Sequence, residues 1–377
     1  MNLILSKRSR LGNLLQNAAA FVIGCALAFL ILETFLWIYH PFPRRIKGDE
    51  IVLPIHQKYV VVNQGFDKLD RNIIHRKNSL GFRGPEPPEN FQTYTTFIAV
   101  GGSTTECYYL SDGKDWPAQL QKRLRQQYQK IWINNAGLDG HSTFGHTILL
   151  RDYLTKLKPD YILFLVGAND IGRTDLTHYD KKHIQYADAG WKNNLIKQSE
   201  VLSLLYSMSK SFKALQKGLT HRFPNLLQMK HQQVDPSAII TAIQRHDVFL
   251  NHYEARLTQL MQMTIHAGIQ PILITQPTLL GEGVDDLTGV NLETIQLKGR
   301  HGKTYWSVLQ AYNRITRQVG EKLKIPVIPL GEQMPKSSRY FYDAIHFTNA
   351  GAELLGGMLA NALQQQHILK AHVSTPK

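Results

Sequence analysis

Short apolar runs alternate with helical stretches from Thr95 onward. The runs cover residues 97–100, 131–134, 161–166, 271–275 and 325–329, and runs of this length predict strands buried on both faces. Between and after them, residues 115–128, 238–266, 305–323 and 349–364 show helical spacing. Strand–helix alternation predicts right-handed crossovers and a parallel sheet covered on both sides. We therefore expect an α/β fold, a flavodoxin-like three-layer sandwich with about five parallel strands.

A long apolar stretch precedes this alternation. Residues 18–39 are numerous enough to span a bilayer at ~1.5 Å per residue, and Trp37 and Tyr39 lie where an interfacial aromatic belt is found. The stretch is longer than a signal-peptide core and no small-x-small cleavage site follows it. We therefore expect one uncleaved transmembrane helix. It follows a basic tail over residues 1–17 and precedes a proline-rich connecting segment over 40–94.

The flanking charges leave the orientation of this helix open. Three basic residues precede the span and three follow it (Lys7, Arg8 and Arg10; Arg44, Arg45 and Lys47), so the positive-inside comparison is tied. A short tail before the span is typical of a signal anchor. This favours a large domain outside the cytoplasm, in the periplasm.

The chain carries a formal net charge of +14 and has a pI of about 9.6. Such an excess indicates an anionic neighbour, either membrane lipid or an acidic glycan. Nucleic acid is not expected as a partner, because no helix-turn-helix, zinc finger or RNA-binding aromatic signature accompanies the charge. Much of the excess lies in residues 178–233, predicted as a helical insertion. This insertion presents either a solvated basic face or a surface for lipid headgroups or acidic glycan.

Polar motifs follow four of the predicted strands. Ser103 follows the first strand, residues 135–142 the second, 167–170 the third and 343–346 the fifth. In an open parallel sheet, ligands bind beyond the carboxyl ends of the strands, so these motifs converge on one edge. A serine after Gly101-Gly102 is, alone, more typical of a polar turn. Four such motifs, each following its own strand in order, favour a nucleophilic role for Ser103.

The order and spacing of these motifs resemble the SGNH (GDSL-like) hydrolase superfamily over residues 95–365. The matching residues are Gly101-Gly102-Ser103-Thr104, the glycine motif at 135–140, Gly167-Ala168-Asn169-Asp170 and Asp343-Ala344-Ile345-His346. The resemblance implies Ser103 as nucleophile, His346 as base and Asp343 as the acid that orients it. It also implies an oxyanion hole formed by Ser103, the Gly140 N–H and the Asn169 side-chain amide. A C-terminal tail, residues 366–377, then follows the hydrolase domain.

One residue departs from the family pattern. The family often has aspartate before the serine, where this chain has Gly102. With the anchor and the Asn-x-x-Gly-Phe-Arg patch at residues 78–83, this looks like a membrane-anchored Gly-Gly-Ser subgroup. The departure leaves the Ser-His-Asp set complete and leaves the substrate preference open.

The chemistry of these residue types fits the same conclusion. A serine hydroxyl needs a neighbouring imidazole to take its proton, and a carboxylate holds that imidazole in one tautomer. An aspartate three residues before the histidine can reach it on a tight loop. The histidines His141, His146, His178 and His183 lack a carboxylate or cysteine cluster with metal spacing. We therefore expect neither a metal site nor a cofactor.

The sequence thus predicts an esterase or deacylase that forms an acyl-serine intermediate. Anchorage and basicity favour an acyl ester, most simply an acetyl ester, of a cell-envelope polysaccharide or lipid. An O-acyltransferase would use the same triad, with a sugar hydroxyl replacing water. A non-catalytic glycan-binding or assembly protein on this scaffold is a third alternative, against which the complete triad argues. The sequence leaves protein partners open.

Overall fold

The computed structural model describes residues 2–39, 46–47, 50–51, 53–63, 66–173, 195–196, 198–216, 225–297 and 300–369. Of the predicted insertion, residues 178–194, 197 and 217–224 lie outside the described residues, as do residues 370–377 of the predicted tail. The chain divides into two compact units. The first comprises Met1–Val52 and Tyr186–Thr220, and the second Leu53–Gln185 and His221–Lys377. The predicted segment boundaries stay predictions.

The first unit is built on a long N-terminal helix, α1 (Asn2–Tyr39). Its portion Leu15–Tyr39 is long and apolar enough to cross a membrane. Two short strands, β1 (Ile46–Lys47) and β2 (Glu50–Ile51), pair antiparallel. A second helix, α6 (Glu200–Gln216), packs against α1.

The second unit contains a five-stranded parallel sheet. Its strands are β5 (Thr95–Gly101), β6 (Ile131–Asn135), β7 (Tyr161–Leu165), β9 (Gln270–Ile274) and β12 (Val327–Ile328), in the order β12-β9-β7-β5-β6. All four pairings are parallel, so the predicted sheet is confirmed. Two small antiparallel sheets accompany it, formed by β3 (Lys58–Val62) with β4 (Asn72–Arg76), and by β8 (Lys230–His231), β10 (Ile295–Leu297) and β11 (Arg300–His301).

Helices cover both faces of the large sheet. They are α2 (Ser103–Glu106), α3 (Trp116–Leu124), α4 (Thr143–Leu149), α5 (Thr155–Leu157), α7 (Pro236–Gln244), α8 (Asp247–His266), α9 (Gly302–Leu323), α10 (Leu330–Gln333) and α11 (Asn349–Gln365). A π-helical turn at Leu150–Leu154 joins α4 to α5, and 3₁₀ turns lie at Phe91–Thr93, Ala168–Asp170 and Leu226–Gln228. Because β5 leads to β6 and the chain then returns to β7, the right-handed rule for crossovers puts α3 on one face of the sheet. The same rule puts α4, α8 and α9, which pack together, on the other. Helix α11 packs on α3.

The predicted single helix over residues 238–266 is wrong. Two helices, α7 and α8, cover this stretch and are separated by Arg245 and His246. His246 has φ of −94° and ψ of −3°, and its Nδ1 lies 3.4 Å from the Tyr312 hydroxyl of α9. A tertiary contact at this position thus accompanies a break that helical periodicity alone does not reveal.

The position of strand β5 in the sheet determines where Ser103 lies. All seven of its residues are buried, because β6 and β7 flank it and helices cover both faces. Phe97 stacks on Tyr161 of β7 with ring centroids 4.6 Å apart. Burial fixes the strand in the middle of the core. Its carboxyl end therefore delivers Ser103 to a fixed point on the sheet edge.

Candidate active site

Ser103 is the first residue of the short helix α2, which follows directly on β5. Its side chain is largely buried, with the residue only 7% exposed. The turn is tightly packed: a Cβ on Gly137 of the next loop would lie 2.2 Å from the Glu106 main-chain nitrogen in α2. Only a residue without a side chain permits this approach. The serine is therefore held between a buried strand and a closely packed loop.

Three side chains form a continuous hydrogen-bonded row. His346 Nε2 lies 2.7 Å from Ser103 Oγ. On the other side of the ring, His346 Nδ1 lies 2.8 Å from Asp343 Oδ2 and 2.9 Å from Oδ1. When Nδ1 carries a hydrogen and donates it to Asp343, Nε2 presents its lone pair to the serine hydroxyl. This is the arrangement in which imidazole can accept a proton from serine.

The loop before α11 fixes the aspartate. Asp343 Oδ1 also accepts hydrogen bonds from the main-chain N–H groups of Ile345, at 3.0 Å, and His346, at 2.9 Å. Burial disfavours the charged carboxylate, but the His346 imidazole and these donors outweigh it and lower the pKa of Asp343 to about 2. Tyr342 stacks on the His346 ring, with centroids 5.5 Å apart. The carboxylate is thus ionised at neutral pH.

The second and third motifs meet beside the serine. Asn169 lies in the 3₁₀ turn after β7, and its Nδ2 donates to the main-chain oxygen of His141 at 2.9 Å. Gly140 precedes His141 in the loop after β6, and the Leu138 N–H in this loop donates to Gly101 O at 3.0 Å. An amide nitrogen has two hydrogens, so Asn169 can donate a second bond. The geometry brings together the loops that carry all predicted site residues.

A buried carboxylate joins these two motifs. Asp170 accepts a hydrogen bond from Thr143 Oγ1 at 2.6 Å and pairs with Arg256 Nη2 at 3.1 Å. Arg256 also lies over the Phe144 ring, 4.3 Å from its centroid. These contacts hold the Asn169 turn against α4. The Gly-x-Asn-Asp motif signals Asp170, whereas Arg256 lies in α8 without any local motif.

A second buried charge holds the far end of the nucleophile helix. The guanidinium of Arg83 donates through Nη1 to the main-chain oxygens of Glu106 and Cys107, both at 2.6 Å. Its Nη2 donates to Leu110 O at 2.8 Å and lies 3.5 Å from the Asp115 carboxylate. The Asn-x-x-Gly-Phe-Arg patch is visible in the sequence, but its pattern alone does not reveal this contact with α2.

A pocket of about 460 Å³ opens beside Asn169. The side chains of Arg173, His246, His301 and Tyr305 contribute to its wall. Ile171, Ala242 and Val308 also line it, so polar and apolar side chains share the space next to one predicted oxyanion donor.

The fold and the site define a class: an α/β protein with a Ser-His-Asp row at the carboxyl edge of a parallel sheet. Within it, the chain belongs to the GDSL-like Lipase/Acylhydrolase family, whose sequence profile matches residues 99–354. The predicted family is therefore confirmed. The members of this family are hydrolases. The membrane-anchored subgroup stays a prediction.

Comparison with individual proteins adds structural likenesses. The fold is similar to Axe2, an acetylxylan esterase from Geobacillus stearothermophilus, at 16% identity and a TM-score of 0.41, covering 73% of this chain and 95% of that chain. It is also similar to LAE5, an α/β hydrolase enzyme from the metagenome of Lake Arreo, at 15% identity and a TM-score of 0.41, covering 74% and 97%. No curated protein sequence matches the chain.

Proposed function

We propose that this protein is a serine esterase or deacylase that acts on acyl esters through an acyl-serine intermediate. The observation that carries the proposal is the 2.7 Å contact between His346 Nε2 and Ser103 Oγ, with Asp343 on the other ring nitrogen. A base at this distance can take the serine proton as the oxygen attacks. Membership in a lipase and acylhydrolase family supports the same reaction class.

The reaction would run in two halves. Ser103 Oγ attacks the acyl carbon while His346 Nε2 takes its proton, and Asp343 stabilises the imidazolium. The main-chain N–H groups of Ser103 and Gly140 and the Asn169 amide donate to the oxyanion. His346 then gives its proton to the leaving alcohol oxygen as the ester bond breaks. Water, deprotonated by His346, attacks the acyl-serine. The bond from the acyl carbon to Ser103 Oγ then breaks, His346 returns the proton to Oγ, and the acid leaves.

The substrate we propose is an acetyl ester of a cell-envelope polysaccharide. The pocket beside Asn169, with Arg173, His246 and Tyr305 in its wall, supports a sugar on the alcohol side of the ester. The apolar stretch Leu15–Tyr39 supports a transmembrane anchor, with the hydrolase unit in the periplasm. An excess of basic residues along the chain fits an envelope rich in anionic groups.

A serine-reactive fluorophosphonate probe and p-nitrophenyl acetate test the reaction class. The parent should be labelled and should release nitrophenol. Ser103→Ala should lose labelling and reduce turnover by several orders of magnitude, since the attacking oxygen is gone. Ser79→Ala, at an exposed serine, serves as the matched control and should match the parent. A Ser103→Ala protein that is folded and fully active would show that the serine-hydrolase proposal is wrong.

The same preparation separates hydrolysis from transfer. Acetylated oligosaccharides should release acetate, and an added unacetylated oligosaccharide should not suppress that release. If acetyl instead appears on the added sugar hydroxyl, the enzyme is an O-acyltransferase that uses the same triad.

A further inference from the structure

Glu33 is the acidic residue within the apolar stretch Leu15–Tyr39 of α1. It lies six residues before the end of the helix at Tyr39, about 9 Å along the axis at ~1.5 Å per residue. A carboxylate at such a depth is costly in hydrocarbon unless donors compensate its charge. Its partners are therefore informative.

Those partners are at the start of α6. The Glu33 carboxylate accepts hydrogen bonds from Ser199 Oγ at 2.8 Å, from the Val201 N–H at 3.0 Å and from the Glu200 N–H. The partial positive charge at a helix N-terminus adds to these donors. Glu33 therefore serves as an N-terminal cap for a helix that begins more than 160 residues later in the chain.

The remaining N–H groups of the first turn of α6 are also satisfied. Leu202 N donates to Ser199 Oγ at 3.1 Å, and the N–H of the capping residue Ser199 donates to Leu195 O at 3.0 Å. A helix has four N–H groups at its start without intrahelical partners, and on a protein surface water often fills this role. Here protein atoms satisfy all four. The bilayer interior imposes the same requirement, because it contains no water to accept these bonds.

Apolar packing continues away from the cap. Leu36 of α1 and Val201 of α6 are buried, and α6 packs against α1. Further along α6, Leu205 is 57% exposed and Met208 59% exposed. Three residues apart, they lie on one side of the helix. A helix whose first N–H groups are bonded to protein atoms thus presents large apolar side chains outward.

We propose that α6 is a second membrane-embedded helix, which starts at the depth of Glu33, is capped by that carboxylate and contacts lipid acyl chains through Leu205 and Met208. This favours lipid contact over a solvated face for this part of the insertion. It also gives Glu33 a function within the span, since the anion and the helix N-terminus compensate one another. The proposal does not depend on the ester chemistry.

Fluorescence quenching in vesicles tests it on the full chain. Met208→Cys carries an environment-sensitive nitrobenzoxadiazole probe in a Cys25→Ala background, where the remaining Cys107 is buried. In phosphatidylcholine vesicles, lipids with a nitroxide on the acyl chain should quench most of this fluorescence, and iodide on both sides should quench little. The same probe at Lys122→Cys, exposed on α3, should show the reverse. Iodide quenching at position 208 equal to that at 122 would place α6 in water and overturn the proposal.

Variants at the cap test the role of Glu33. Glu33→Ala should lose the lipid quenching at position 208, because two main-chain donors lose their acceptor. Thr34→Val is the matched control: the Thr34 hydroxyl bonds within α1, to Leu30 O, so quenching should persist. Glu33→Gln retains one acceptor oxygen and should lie between the two, which gives a second measurement if the alanine variant fails to insert. Unchanged lipid quenching in both Glu33 variants would overturn the assignment of the cap.

Discussion

A Cβ atom on Gly102 would lie 2.0 Å from Asn169 Nδ2. The Asn169 amide therefore occupies the space that a side chain at position 102 would need. Asn169 is also bonded to His141 O, so it cannot withdraw without losing that contact. The departure from the family pattern thus has a physical reason. An aspartate before the serine is incompatible with this placement of Asn169.

Gly102→Ala should reduce kcat by about 10²-fold to 10³-fold, because the displaced Asn169 no longer donates to the oxyanion. Initial rates on p-nitrophenyl acetate measure the loss. Gly357→Ala is the control, since the nearest atom to a Cβ there is Arg123 Nε at 4.0 Å. Parental kcat in folded Gly102→Ala would contradict the steric argument.

Asn169→Ala should lower kcat by about 10²-fold to 10³-fold and leave fluorophosphonate labelling of Ser103 in place, because the nucleophile and base are untouched. Combining it with Gly102→Ala tests whether both changes act through the same donor. The double variant should then be no slower than Asn169→Ala alone, since neighbouring residues that share one interaction are not additive. If the double variant reduces kcat by the product of the two single-variant factors, Gly102 acts by another route.

Local sequence patterns predict most of the fold and much of the candidate site. The apolar run at 97–100 predicts β5 because central parallel strands must be buried on both faces, and Ser103 lies at the predicted edge. Asp343 and His346 are three residues apart, so one loop brings them into contact. The positions of the other motifs after their strands follow from the same short-range information. These features need only periodicity and sequence neighbours.

Contacts between distant segments could not be predicted in this way. Arg256 reaches Asp170 across 86 residues, and Glu33 reaches Ser199 across 166. A lone arginine or glutamate in a helix has no periodic signal that names its partner. The interruption at His246 is similar, because its contact is with Tyr312 of another helix. Such residues become visible only when the packing is known.

Ionised Asp343 should stabilise the folded protein, and this contribution should be lost in acid. Its pKa of about 2 lies below the ~3.9 of an unfolded aspartate, so its contribution is present above pH ~4 and is lost as the pH falls toward 2. At pH 5 the parent should therefore have a higher free energy of unfolding than Asp343→Asn. This difference should decrease by on the order of 2 kcal/mol between pH 5 and pH 2. Denaturation followed by circular dichroism measures both free energies, and a constant difference for Asp343→Asn would contradict the coupling.

The proposed orientation predicts an active C-terminal fusion. A reporter enzyme that works only outside the cytoplasm, fused after Lys377, should be active because the apolar stretch Leu15–Tyr39 carries the hydrolase unit across the membrane. A fusion that lacks residues 18–39 should be inactive at the same expression level. Activity in the deletion alone, or an inactive full-length fusion, would reverse the orientation.

Arg83 should stabilise the protein far more than an exposed arginine does. Its buried guanidinium pairs with Asp115 and donates to the end of α2, so Arg83→Met leaves a buried carboxylate and several carbonyl groups without this partner. We expect the free energy of unfolding to fall by about 3–5 kcal/mol, measured by urea denaturation of the full chain in detergent. Arg83→Lys keeps the charge but not the planar fork, so its loss should be smaller.

Arg76→Met supplies the matched comparison for this prediction. Arg76 pairs with Asp112 at 2.7 Å, yet its side chain is 61% exposed, so its removal should cost at most ~1 kcal/mol. Because Arg83 contacts the helix that begins at Ser103, Arg83→Lys should also slow fluorophosphonate labelling, while Arg76→Met should not. Equal unfolding free energies for the two methionine variants would show that the buried guanidinium adds nothing to stability. Parental labelling rates in folded Arg83→Lys would separate its structural contribution from any effect on the nucleophile.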